Sequence, residues 1–312
     1  MTPLILMYHR VADEPIDYWG LAVSPARFEE HLQLLRRFRR PLPLAEFVRN
    51  LIAGTLSPDA VALTFDDGYV DNLTAGLPRL AAADVPATVF LATGYLGRDE
   101  AFWWDELAHF ILLANTPSSF EIVIRGESMF FELGTESSPR ENGAASVTFS
   151  NSRRTVLEAI YQPLRRLDED ERRALMTKLR SIFTGHNGQA RLGRAMTRDE
   201  VRAIVAGGLV TVGAHTVTHP ILPELGAAAR RDEIMASKLA CEEIVGAPVI
   251  AFAYPFGEYN AEVCEVVRSA GFTFSCSTGR APAVAASDVF ALRRIFVTNL
   301  DGDAFQQRII PA

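Results

Sequence analysis

Three cysteines in 312 residues are too few, and odd in number, for a disulfide framework, and none of Cys241, Cys264 and Cys276 stands in paired metal spacing. They read as reduced structural thiols of a cytoplasmic protein. No apolar run reaches the roughly 18 residues of a membrane span, and the opening MTPLILMYHR has too short an apolar block and no basic leader for an export signal. Positive charge is scarce: the formal net charge is −7 without a long Lys/Arg tract, which argues against a nucleic-acid partner. The one basic run, Arg36, Arg37, Arg39 and Arg40, falls on a predicted helix end, where it suits the dipole as a solvated face.

What the chain does have is enough apolar material, 48% of its residues, for one barrel-sized domain or one domain carrying an insertion. The stretch VALTFDDGYVDN, Val61 to Asn72, reads as a buried strand that ends at Phe65 and delivers Asp66 and Asp67 to its C-terminal edge. Adjacent anions repel, and a site tolerates them when a cation sits against one and leaves the other free as a base. An Asp-Asp-Gly turn capping a helix is the plainer alternative. About 150 residues on, LVTVGAHTVTHPIL places His215 at a second strand end with His219 four residues later. One helical turn there would aim both imidazoles the same way, a common arrangement for two nitrogen ligands. Asp67, His215 and His219 then form a two-histidine, one-carboxylate set with positions open for water and substrate.

Taken in order, LILMY is a strand ending at His9, Ser24-Pro25 starts a helix, and Leu44 to Ile52 forms a second one closed by Gly54. The Asp-Asp strand, a helix over about 71–83 and the strand ATVFLAT continue an alternation that implies parallel strands with right-handed crossovers. From about 97 to 193 the regularity breaks. A helix opens at Phe102 to Glu106, FEIVIRGESMFFELG looks like a hairpin around Arg125 to Glu127, SSPRENGAASVTFSNSR is turn-rich, and Arg153 to Phe183 is helical. This segment reads as an insertion within a single 1–312 domain, able to serve as a lid or an interface. Its Trp103 and Trp104 could stack on a sugar ring or simply pack the insertion. Alternation then resumes: a capping box at Thr197 and Glu200, the histidine strand, a helix over about 225–245, PVIAFAYPFG, a helix in AEVCEVVRSA, FTFSCS and a last strand near 292–297. About seven parallel strands predict an α/β fold, an incomplete or distorted (β/α) barrel with its site at the strands' C-terminal ends. His9, Asp66, Asp67, His215, His219 and the Tyr254–Gly257 loop would share that rim.

LTFDDGY at 63–69, H-x-x-x-H within GAHTVTHP and YPFG at 254–257 together resemble the polysaccharide deacetylase family, carbohydrate esterase family 4, with its NodB-homology (β/α)7 barrel. The resemblance implies that Asp66 is the catalytic base and that Asp67, His215 and His219 hold one divalent ion, usually zinc, with cobalt, nickel or iron also suited. Two departures stand out. The family's third motif commonly begins with an Arg that orients the base, where this chain has Tyr254, and Arg293 or Arg294 could substitute for it. The family's late acid histidine is missing too, since no histidine follows His219, and MYHRV resembles relatives that take the acid from a Y-H pair near the N-terminus, which points to His9.

The implied reaction is metal-dependent removal of an N-acyl group, chiefly acetyl, from an amino sugar, with Tyr254, Phe256, Arg294 and Trp104 as candidates around substrate and oxyanion. A deformylase, or a deacetylase of lipid-linked or nucleotide-linked sugars, keeps the same scaffold. A non-haem iron oxygenase would use the same ligand set, and a degenerate carbohydrate-binding module would account for the two departures. The chain could also oligomerise.

Overall fold

The computed structural model describes residues 1–14, 17–113, 117–134, 140–141, 147–148, 151–183, 193–279 and 288–310. The chain divides into two compact units, Met1–Arg98 with Ala195–Ala312, and Asp99–Arg194.

The first unit is a closed ring of seven parallel strands, namely Leu4–Tyr8, Ala60–Phe65, Ala87–Leu91, Val210–Ala214, Ala251–Ala253, Phe274–Thr278 and Leu292–Phe296. Closure runs through the first strand, which pairs Leu4 with Val61 on one side and Leu6 with Ile295 on the other. Every residue of the first two strands is buried, as expected when a parallel sheet is covered on both faces. The ring is thinnest between the fourth and fifth strands, which share the single register pair Ala214 and Phe252. This is the distorted (β/α)7 barrel that the alternation predicts.

Local chemistry sets the helices between the strands. Pro25 starts Pro25–Phe38 behind Ser24, whose hydroxyl accepts from the Arg27 N–H. The predicted capping box of Thr197 and Glu200 opens Arg198–Val205. The expected helix over 71–83 is irregular: Asn72–Gly76 is a π turn and only Leu77–Ala83 is α-helical. Pro78 explains the break, because it lacks an N–H and its ring crowds the carbonyl four residues back, so the preceding turn widens. Arg39 also departs from expectation. Its guanidinium is buried and donates to the carbonyls of Thr2 and Ile309, so the basic run is not wholly a solvated face.

The second unit contains the helices Trp103–Leu113, Asn151–Leu164 and Glu169–Ile182, and an antiparallel hairpin of Ser119–Ile124 with Glu127–Glu132. Its two-residue turn, Arg125 and Gly126, takes positive φ at both positions, the geometry whose twist matches paired strands. Most of the turn-rich stretch SSPRENGAASVTFSNSR lies outside the described residues. Trp104 is buried in this unit, stacked on Phe102 at 4.8 Å and edge-on to Trp103 at 5.5 Å. Packing, rather than a face offered to a sugar ring, is therefore its observed role. Among the described residues no helix is long and apolar enough to cross a membrane.

Candidate active site

The rim at the C-terminal ends of the strands gathers the sequence candidates in two groups. Phe65 ends the second strand, and the Asp66 N–H, donating to the Tyr8 carbonyl at 3.0 Å, ties the next residue to the first strand. The chain then turns sharply, with Asp67 at φ +71° and Gly68 at φ +80°. The positive φ favours glycine at Gly68, where a Cβ would also press on the Leu91 Cδ2 methyl at 2.7 Å. The bend sends the two carboxylates in different directions.

Asp66 faces Arg294. Its two oxygens accept from Nη1 and Nη2 of Arg294 at 2.6 Å each, a bidentate pair with the guanidinium fully buried on the last barrel strand. Arg294 Nη1 also donates to Thr64 Oγ1 at 3.1 Å and its Nε to the Ser277 carbonyl at 3.3 Å. Burial alone would raise the Asp66 pKa. The Arg294 guanidinium, helped by His215 and His9, outweighs it and holds the carboxyl below its ordinary value. Of the two candidate arginines, Arg294 points inward and Arg293 is exposed. Arg294 is thus a clamp on Asp66 rather than a group open to substrate.

Asp67 faces the histidines. Its Oδ1 lies 3.7 Å from His215 Nε2 and 3.5 Å from His219 Nε2, with all three side chains buried. His215 Nδ1 lies 2.8 Å from the Ala253 carbonyl, which can only accept, so Nδ1 carries the hydrogen and Nε2 presents a lone pair toward the carboxylate. Burial also pushes the His215 pKa down, disfavouring a proton between them. Two imidazole nitrogens, that of His215 with its lone pair inward, and one carboxylate oxygen converge here, a donor set that suits a divalent cation.

The segment from His215 to His219 is not the helical turn that the spacing suggests. Thr216 and His219 take φ of +65° and +57°, and a left-handed conformation at a β-branched residue costs on the order of 1–3 kcal/mol. Three contacts fix this bent loop. Thr216 Oγ1 accepts from the His219 N–H at 3.1 Å. The Thr216 and Val217 carbonyls accept from the Thr93 and Gly94 N–H groups at 3.0 and 2.8 Å. Glu233, 16 residues beyond Val217 on the helix Ala227–Val245, accepts from the N–H groups of Val217 and Thr218 and from Thr218 Oγ1 at 2.7–2.9 Å. Glu233 carries no sequence signal, since one carboxylate on a mixed-charge helix looks like a solvated face.

His9 follows the first strand and is half-buried, its ring edge-on to Phe296 at 5.4 Å. Asn72 Nδ2 donates to its carbonyl at 2.7 Å, while Asp71 accepts from Arg10 Nε and the Val11 N–H at 3.0 Å each. Burial pushes the His9 imidazole down to about 4, partly countered by the Asp66 carboxylate. Phe256, at φ +58°, sets its ring edge-on to His219 at 4.5 Å. Tyr254 does not join the site. It is fully buried, its hydroxyl donating to the Phe290 carbonyl at 2.8 Å and accepting from Ser275 Oγ at 2.7 Å, so it anchors the fifth strand instead of touching substrate.

Comparison with known proteins bears on the family and the fold. The profile of the polysaccharide deacetylase family matches residues 53–110 and 139–275. Among solved structures, the chain is similar to the Streptococcus pyogenes deacetylase PplD in complex with acetate, with 19% identity, a TM-score of 0.63 and coverage of 100% of this chain and 99% of that one. It is likewise similar to IcaB from Ammonifex degensii (19%, TM-score 0.61, coverage 99% and 95%) and to BC0361, a polysaccharide deacetylase from Bacillus cereus (17%, 0.62, 99% and 69%). No curated protein matches the chain by sequence.

Proposed function

Because the chain belongs to the polysaccharide deacetylase family, we propose that it hydrolyses an N-acetyl group from an amino sugar of a glycan or glycan precursor with the help of one divalent ion, zinc first. The observation that carries this reading is the division of the rim: an ionised carboxylate clamped by Arg294 beside a buried Asp67, His215 and His219 set. Acetate bound to the Streptococcus pyogenes deacetylase supports acetyl as the leaving acyl group.

When bound by Asp67, His215 and His219, the ion supplies Lewis acidity toward the amide carbonyl and lowers the pKa of a water toward about 7. Asp66, held anionic by Arg294, accepts the proton of the attacking water at a carboxylate oxygen. The loop at Phe256 lies beside His219, so its backbone N–H is the candidate partner for the developing oxyanion. His9 delivers a proton to the departing nitrogen. Since its imidazole is neutral at rest, the proton it passes on is the one that Asp66 has taken from the water, so the two residues together move one proton from water to nitrogen.

The test is acetate release across free, polymeric, lipid-linked and nucleotide-linked N-acetyl amino sugars, after chelation and reloading with zinc, cobalt, nickel or iron. We expect release from at least one class, abolished by chelation and restored by metal. No acetate from any class with any metal would sink the proposal. Formate from N-formyl sugars without acetate would change the acyl group.

A further inference from the structure

The bent loop between the two histidines raises the question of what keeps it bent. Every backbone carbonyl and N–H from the Thr216 carbonyl to the Thr218 N–H has an assigned partner. The Thr93 and Gly94 N–H groups hold the carbonyls, and the Glu233 carboxylate takes both N–H groups and the Thr218 hydroxyl. Gly94 permits the first half of this grip, since a Cβ there would lie 2.7 Å from the Val217 carbonyl oxygen. The second half depends on one side chain. Thr216 and His219 at either end of the gripped peptides are the residues in left-handed conformation, so the backbone that aims His219 at Asp67 carries a conformational cost that these bonds offset. Glu233 is half-buried and lies outside the ligand set. Its three accepted bonds are charge-assisted, the stronger kind, and all three go to the segment between the ligands.

We propose that Glu233 is a positioning residue for the metal site: by gripping Val217 and Thr218 it holds His219 in the geometry that lets it bind an ion together with Asp67 and His215. The inference rests on the metal reading above and goes further by assigning a residue that touches neither ion nor substrate. Partners that bond a ligand side chain directly are worth about 10- to 100-fold in metal affinity, and Glu233, which grips the backbone between two ligands, is expected at the lower end of that range.

The experiment is competition of apo protein with a zinc-chelating dye, for the parent chain and for Glu233→Ala, Glu233→Gln, Thr218→Val and His219→Ala, alongside thermal melts with and without zinc. Glu233→Ala is expected to weaken zinc binding about 10-fold and to lose much of the zinc-dependent rise in Tm, a loss counted over and above the lower apo melt that three missing hydrogen bonds bring. Glu233→Gln, which keeps an acceptor oxygen, should fall between the two, and Thr218→Val, missing one of three donors, should show the smallest loss. Zinc affinity unchanged in Glu233→Ala while His219→Ala loses it would overturn the positioning role and leave the metal site standing. Unchanged affinity in His219→Ala would overturn both. If Glu233→Ala does not fold, Glu233→Gln and Thr218→Val decide, and parental affinity in both counts against the proposal.

Discussion

Asp66 and Asp67 are neighbours in the chain and opposites in setting. Asp66 meets a guanidinium that matches it bond for bond, so its charge is balanced by protein alone. Asp67 meets two imidazoles, one of which turns a lone pair toward it, so its half of the rim gains from a cation that the protein does not supply. The contrast teaches that a left-handed residue can split one dipeptide between two settings, a proposed base and a proposed ligand, and that the first is kept ionised by an arginine only two strands away around the ring.

Replacing Asp66 by Asn is the harshest test of that contrast. Turnover should fall about 100- to 10,000-fold with metal content retained, whereas His219→Ala should lose metal and activity together. Equal metal loss in both, read by elemental analysis, would erase the distinction between the two halves. Arg294→Leu comes next. It leaves the buried Asp66 charge unpaired, and we expect about 3–5 kcal/mol of destabilisation in urea melts. The milder Arg294→Lys keeps a charge without the fork, so Asp66 loses part of what holds its pKa down, and the acidic limb of the pH–rate profile should move upward. An unmoved limb would mean that Arg294 does not set the base.

A smaller effect separates the rim's pH dependence from that of the body. His31 is buried under Phe305, stacked at 3.8 Å, and burial pushes its pKa down to about 4. The unfolded chain therefore binds the extra proton between an ordinary value near 6.5 and about 4. Stability from this group is complete above that window and is lost as pH falls through it, on the order of 3 kcal/mol in all. Urea melts between pH 7 and 4 on the parent and His31→Phe should show the difference, and identical slopes would dismiss His31 as the source. The least effect is expected of Trp104→Phe: it should cost about 1–2 kcal/mol of stability by loosening buried packing and leave kcat/KM unchanged. A selective rise in KM for a sugar substrate would restore Trp104 to the binding surface.

Much of this was legible in the residues and some was not, for physical reasons. Strand ends followed from apolar runs meeting polar residues, and because a parallel barrel puts those ends on one rim, residues as far apart as His9, Asp66 and His215 could be grouped. The shape of the loop at 215–219 is not legible from the spacing of its histidines, because it depends on positive φ at Thr216 and His219, conformations that neither residue favours by itself. Arg294 could have been separated from Arg293 by the two-residue period of LRRIF, in which Leu292 and Arg294 share the inward face. Tyr254 lies away from the rim although it sits in the motif, because position in a motif says nothing about which way a ring turns. Glu233 had no signal, since its bonds are to backbone far from it in sequence.

The clamp on Asp66 spans 228 positions of the chain. On a ribosome the carboxylate emerges long before its guanidinium, and until the seventh strand arrives it must remain hydrated, because no other arginine reaches it among the contacts described. A nascent chain can thus condense much of its core while the Asp66 carboxylate is still wet. With Asp66 as the proposed base, chemistry waits for the ring to close, and turnover would report that the last stave is in place.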